Sequence, residues 1–271
     1  MKKIIILAFS LAFGTKIYAQ ADTAEGSYYT SFDGAKIYYE VKGEGFPVVM
    51  LHVFTGTARG WKNGLLYGNL LKLGYKVIIL DMRGNGRSDK PHTDAGYNND
   101  AEAKDVIGLV SSLGIKKYDV IGYSRGSIIT SRVMVLDKRV QKAVMGGMGA
   151  DYTNPNWQRR IHAWKALEGD TTMHDVDDMM VWINKNPFDK VALALQQKHQ
   201  PSTSPAELAK LKIPVLLIDG TEDTTNGDVA DLQKLIPHAQ MAAVPGDHNN
   251  AGKTIQFSDA IIHFLQSSIK P

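Results

Sequence analysis

Cysteine is absent from all 271 residues, and that absence excludes disulfides, a thiol nucleophile, thiolate-held metals and a lipid-bearing cysteine. Charge of one sign is also missing. The formal net charge is only +3, from 31 Lys and Arg against 28 Asp and Glu. Take away Lys2, Lys3 and Lys16, which lie in an acid-free stretch of the first 19 residues, and the remaining 28 bases equal the 28 acids. A balanced chain with no basic run offers no electrostatic footprint for a phosphate backbone, so nucleic acid is not an expected partner. The N-terminal apolar stretch, Ile4 to Phe13, is about ten residues where a bilayer-spanning helix needs about 20, so no membrane span is expected in the mature protein. Lys2 and Lys3 before it and Tyr18-Ala19-Gln20-Ala21 after it complete the layout of a secretory signal peptide over residues 1–19, with cleavage after Ala19 or Ala21. The mature protein is expected to be exported, periplasmic or secreted.

What is present is a hydrophobic fraction of 44%, ordinary for a chain with a substantial core. Tyr28 to Phe32 and Ala35 to Lys42 flank Asp33-Gly34, which predicts an antiparallel hairpin. Strand-like and helix-like segments then alternate. Pro47 to Leu51, Tyr75 to Asp81, Tyr118 to Ile121 and Val140 to Met145 read as buried strands. Trp61 to Leu73, a segment ending near Leu113, and Ser127 to Leu136 read as helices. Buried apolar strands separated by helices imply an α/β fold: an open, mostly parallel twisted sheet with helices on both faces. Residues 151–205 break the rhythm with two amphipathic stretches, one carrying Trp157, Ile161 and Trp164, the other Val176, Met179, Met180 and Ile183. This segment reads as a small helical cap inserted between core segments 26–150 and 206–268. The second core segment resumes with strand Val215 to Asp219, helix Asp228 to Ile236, strand Gln240 to Val244 and a helix from Lys253 to Gln266.

Gly122-Tyr123-Ser124-Arg125-Gly126 follows one of these strands and opens a helix, the strand, sharp turn and helix that a nucleophile elbow requires. The two glycines lack the β-carbons that would collide with backbone at such a turn. With Asp81-Met82-Arg83-Gly84-Asn85-Gly86-Arg87-Ser88 after the preceding strand, Asp219-Gly220-Thr221-Glu222-Asp223 after a later one, and Gly246-Asp247-His248 after the next, the chain resembles the α/β-hydrolase superfamily over essentially all of residues 26–268. The order Ser, Asp, His is the order that fold uses. The resemblance implies Ser124 as nucleophile, His248 as its base and Asp223 as the acid that orients the base. It leaves Asp151 open as a second position for that acid, while Glu222 and Asp247 read as solvated neighbours. The Asp81 to Ser88 loop reads as scaffold.

The same resemblance implies an oxyanion hole made by the backbone N–H groups of Phe54 and Arg125. Relatives end the first parallel strand in His-Gly, and here it ends in His52-Val53. A valine held at positive φ would cost about 1–3 kcal/mol, so either Val53 avoids that conformation or the loop has shifted. His52 reads as a loop organiser or as a substrate contact. The expected substrate pocket is His52, Val53, Tyr123, Trp157 and Trp164, with Trp182, Met179, Met180 and Phe188 serving either as pocket or as the cap's own core. The remaining histidines show no metal-ligand spacing, and neither a metal nor a cofactor is expected. The implied activity is hydrolysis of a small carboxylic ester or lactone through an acyl-enzyme. A cofactor-free haloperoxidase, a lyase, a carbon-carbon hydrolase and a weakly active ligand-binding protein remain open on the same residues.

Overall fold

The structure, a computed structural model, describes residues 26–267; the expected signal segment lies outside them. β1 (Ser27–Thr30) and β2 (Lys36–Lys42) pair antiparallel. Between them Gly34 sits at φ +88°, and Ser31 N–H donates to Ala35 O at 2.8 Å. The chain then runs β3 (Pro47–Leu51), α1 (Ala58–Lys62), α2 (Leu65–Lys72), β4 (Lys76–Leu80), α3 (Ala101–Ser112), β5 (Tyr118–Tyr123), α4 (Arg125–Leu136) and β6 (Val140–Gly146). After β6 come α5 (Gln158–Leu167), α6 (Asp177–Asn184), α7 (Lys190–Lys198) and α8 (Pro205–Leu208) with no strand among them. The chain closes with β7 (Val215–Gly220), α9 (Val229–Leu235), β8 (Ala239–Val244) and α10 (Ile255–Gln266).

The eight strands form one sheet in the order β1-β2-β4-β3-β5-β6-β7-β8, parallel from β4 onward. The central strands β3 and β5 are apolar without alternation because both faces are covered. Side chains of α3, α4 and α9 pack on one face and those of α1, α2 and α10 on the other. The chain leaves β3 toward α1 on one face and β5 toward α4 on the opposite face. These two strands are neighbours, with Leu51 opposite Gly122. Their loops therefore part at the carboxyl edge of the sheet, opening the crevice where ligands bind in such folds.

Two elements differ from the sequence reading. The helix expected over Trp61 to Leu73 is two helices, because Asn63-Gly64 closes a turn with Gly64 N–H donating to Trp61 O at 3.1 Å. The apolar spacing runs across that break and hides it. A third helix in the 151–205 segment, α7, was not foreseen. Its buried side includes Gln196 and Gln197 beside Leu193, so it lacks the apolar stripe that marks a helix in a sequence. Among the described residues no helix is long and apolar enough to cross a membrane, and no group of three or more His, Asp or Glu gathers to hold a metal ion.

Candidate active site

The turn from β5 into α4 holds Ser124 at φ 55°, ψ −119°. A positive φ on a non-glycine residue costs about 1–3 kcal/mol and persists only where the surroundings impose it. Here Ser124 N–H donates to Gly146 O at 2.7 Å and Ser127 N–H donates to Ser124 O at 2.9 Å. The flanking glycines permit the turn. A β-carbon on Gly126 would collide with the Leu51 carbonyl, and one on Gly122 with the Gly126 carbonyl. The result lifts the Ser124 hydroxyl clear of the sheet edge, ahead of the first turn of α4.

His248, in the loop after β8, lies with Nε2 3.0 Å from Ser124 Oγ and Nδ1 2.6 Å from Asp223 Oδ2. The Asp223 side chain is only 2% exposed, that of His248 17%. Burial alone would raise the Asp223 pKa, but its hydrogen bonds to His248 and Thr225 prevail and hold it down at about 2. The acid is thus an anion at neutral pH, and the geometry puts the ring proton on Nδ1, leaving Nε2 to accept from serine. Tyr123 fixes the other side of this loop, its hydroxyl donating to His248 O at 2.9 Å. Asp151 sits at the start of a short turn after β6 and makes no hydrogen bond or ion pair to His248. Asp247 accepts from Asn249 and Asn250 N–H in its own turn, and Glu222 is exposed.

Two residues beside this line were not foreseen. Asp219, at the end of β7, is pushed up to about 7 by burial and by the Asp223 charge next to it. Asn226 donates to Gly147 O at 3.0 Å, and its Nδ2 stands 3.5 Å from His248 Nε2. Nothing in local pattern marks Asn226, which reaches the site through the packing of the loop after β7 on the loop after β6; Asp219 stands within β7, in the segment that leads to Asp223, and what sets it apart is its burial beside that charge.

The loop after β3 holds Val53 without a positive φ. Among the described residues only Asn99, Asp100 and Ser124 are non-glycine residues at positive φ, so Val53 carries no such strain. Its carbonyl is anchored instead. Met82 N–H donates to His52 Nε2 at 2.9 Å, which places the ring proton on Nδ1, and Nδ1 donates to Val53 O at 2.7 Å. Gly56 N–H donates to the same oxygen at 2.9 Å. In a trans peptide the N–H of the following residue points away from the carbonyl, so Phe54 N–H is turned to the opposite side. Asn85 Nδ2 holds Phe54 O at 2.7 Å. No backbone carbonyl among the described residues accepts from Phe54 N–H or from Arg125 N–H. His52 is buried, and burial lowers its pKa, keeping the ring neutral. It borders the cavity, but both nitrogens are engaged inside the protein, so of its two expected roles the structure gives it loop organisation.

Above Ser124 lies a cavity of about 1050 Å³ between the sheet edge and helices α5 and α6. Val53, Phe54, Tyr123, Trp157, Met179 and Trp182 are on its wall. Trp164 is not. It packs with Leu167, Ile183 and Leu193, and Lys198 Nζ stands 5.7 Å from its ring centre. Met180 and Phe188 share that cluster. Helical spacing placed Trp157 and Trp164 on one face, but Trp164 is two turns further along α5 and meets α7 instead of the cavity.

A family model for the α/β-hydrolase fold matches residues 47–176. A non-heme chloroperoxidase from Streptomyces lividans is 38% identical over 120 residues, 43% of this chain and 42% of that protein. The match thus spans about two fifths of the relative's length. A 2-hydroxy-6-oxononadienedioate/2-hydroxy-6-oxononatrienedioate hydrolase from Pseudomonas putida is 26% identical over 85% of this chain and 92% of its own. Among solved structures, an esterase from Exiguobacterium antarcticum superposes with a TM-score of 0.73 at 21% identity, over 89% of this chain and 100% of that one.

Proposed function

Because the chain is a member of the α/β-hydrolase fold superfamily, we propose that it is a serine hydrolase of small carboxylic esters or lactones. The observation that carries this reading is the unbroken line from Ser124 Oγ through the His248 ring to Asp223, at 3.0 and 2.6 Å. A serine hydroxyl is a weak nucleophile near neutral pH and needs a base in hydrogen-bond reach, which in turn needs an anion to fix its tautomer. Ser124 Oγ attacks the substrate carbonyl while His248 Nε2 takes the proton. Asp223 stabilises the charge formed on the ring. The carbonyl oxygen, now negative, is met by Phe54 N–H and Arg125 N–H. His248 returns the proton to the leaving alcohol, and a water activated by the same ring releases the acid and restores Ser124. A serine at the elbow argues against epoxide and haloalkane chemistry, for which the family uses aspartate.

The test is turnover of a panel of 4-nitrophenyl esters and five- and six-membered lactones. Hydrolysis that falls about 10³-fold or more in Ser124→Ala supports the reading, and a folded protein that turns over none of the panel contradicts it. The likeness to a chloroperoxidase favours one second reading, in which hydrogen peroxide replaces water on the acyl-enzyme and yields a peracid that oxidises halide. Halogenation that needs both peroxide and a short carboxylic acid would support it.

A further inference from the structure

Arginine occupies the position after the nucleophile, and its side chain runs under the cap. Arg125 pairs with Glu102 through Nε at 3.1 Å and Nη2 at 2.5 Å, and Nη2 also donates to Gln196 O at 2.9 Å. Its Nη1 is buried without an acceptor among the described residues. The next carbonyl along, Gln197 O, receives Nη1 of Arg160 at 2.7 Å; Arg160 also donates to Lys198 O and Pro155 O. Two guanidinium groups thus meet on consecutive carbonyls of the last turn of α7. Among the described residues the one carboxylate paired with them is Glu102, and it belongs to Arg125. Arg160 has no acidic partner among the described residues. Burial, and then the Arg125 charge, lowers its pKa, a sign of how close the two cations lie.

Both arginines border the catalytic cavity. Its remaining charges lean the same way: among the described residues Arg159 and Lys253 stand on the wall with no ion pair to a carboxylate, and Asp178 is the one acid there. A buried cation is costly unless an anion meets it. A bland role exists for Arg160, since its three carbonyl contacts brace α5 against α7. That role needs hydrogen-bond donors, which a neutral side chain supplies, and does not account for a second positive charge beside Arg125.

We infer that the substrate is an anion: an ester or lactone carrying a carboxylate, which Arg160 engages while Arg125 adds its charge from behind. This rests on the hydrolase reading for the word ester, but the anion site is separable from it.

Two matched pairs of esters test the inference, one for a carboxylate on the acyl side (mono-4-nitrophenyl glutarate against 4-nitrophenyl pentanoate), one for the leaving group (4-carboxyphenyl butanoate against phenyl butanoate). In at least one pair the charged ester is expected to have a kcat/KM about tenfold or more higher, mainly through KM. The ratio should collapse in Arg160→Gln and recover in large part in Arg160→Lys. On the unaltered protein, glutarate should compete with a neutral ester and pentane-1,5-diol should not, which reads the site even where Arg160→Gln fails to fold. Equal kcat/KM in both pairs, or a preference that survives Arg160→Gln, overturns the inference. Where no ester is turned over, the hydrolase reading falls by itself. Calorimetric titration of Ser124→Ala protein with glutarate then decides, saturable binding weakened by Arg160→Gln supporting the anion site and no saturable heat overturning it.

Discussion

His52 performs two separable tasks with its two ring nitrogens, and substitution can divide them. Nε2 accepts from the buried Met82 N–H, and Nδ1 donates to Val53 O, the carbonyl whose orientation turns Phe54 N–H the other way. In His52→Gln the side-chain oxygen reaches the place of Nε2 and keeps Met82 satisfied, while the bond to Val53 O is lost. In His52→Asn the amide nitrogen takes the place of Nδ1 and keeps Val53 O, while Met82 N–H is orphaned. An unsatisfied buried N–H costs about 1–3 kcal/mol, which in a chain of this size lowers Tm by about 2–4 °C per kcal/mol. Removing an oxyanion donor outright costs about 10²–10³ in rate. Since Gly56 N–H still holds Val53 O at 2.9 Å, the expected loss from a loosened peptide is smaller, about 10- to 100-fold. His52→Asn is therefore expected to lose stability in a urea or thermal melt yet keep most of its kcat, and His52→Gln to do the reverse. A His52→Gln protein with full kcat would refute the oxyanion argument, and a His52→Asn protein with unchanged stability would refute the Met82 assignment.

Val53→Gly is expected to bring no gain in ester turnover, because Val53 carries no positive φ to relieve; a rise of about tenfold would show that the loop was strained after all. Asp223→Asn should lower kcat about 10³- to 10⁴-fold with Asp151→Asn close to unaltered, and the opposite ranking in steady-state kinetics would move the acid to Asp151. Asp219 has a folded pKa of about 7, above its ordinary value of about 3.9. The unfolded chain therefore loses the Asp219 proton first as pH rises, and the native state is weakened progressively between those two values. Asp219→Asn should accordingly be more stable than the parent at pH 8 and no more stable at pH 4 by denaturant titration, and equal gains at both would contradict the buried carboxylate.

The strands at the centre of the sheet were legible because burial on both faces writes itself as an uninterrupted apolar run. Pro47–Leu51 has the bounds read from the sequence, and β5 and β6 extend past theirs only by a residue or two. Helices that depend on tertiary polar contacts were not. Gln196 is wholly buried in α7 because its side chain donates to Arg83 O and Asn85 Oδ1, a partnership invisible in local pattern. The same limit separates Trp157 from Trp164, since helical spacing says that two side chains share a face and not what the face meets. Ser124, Asp223 and His248 stood out because each lies at a fixed offset from a strand end. Asn226 and the guanidinium of Arg160 arrive from the loop after β7 and from the segment after β6, and the raised pKa of Asp219 comes from burial and the neighbouring Asp223 charge, which no local pattern displays. What Arg125 contributes beyond its backbone N–H likewise depends on Glu102 and α7, both distant in sequence.

The central claim is that Ser124 is a nucleophile activated by His248. Mass-spectrometric localisation of the adduct formed by a fluorophosphonate probe tests it most directly. The account predicts a single phosphonylated peptide containing Ser124, absent in Ser124→Ala and strongly reduced in His248→Ala. A folded protein that forms no adduct, or forms one at another serine that persists in Ser124→Ala, would contradict it.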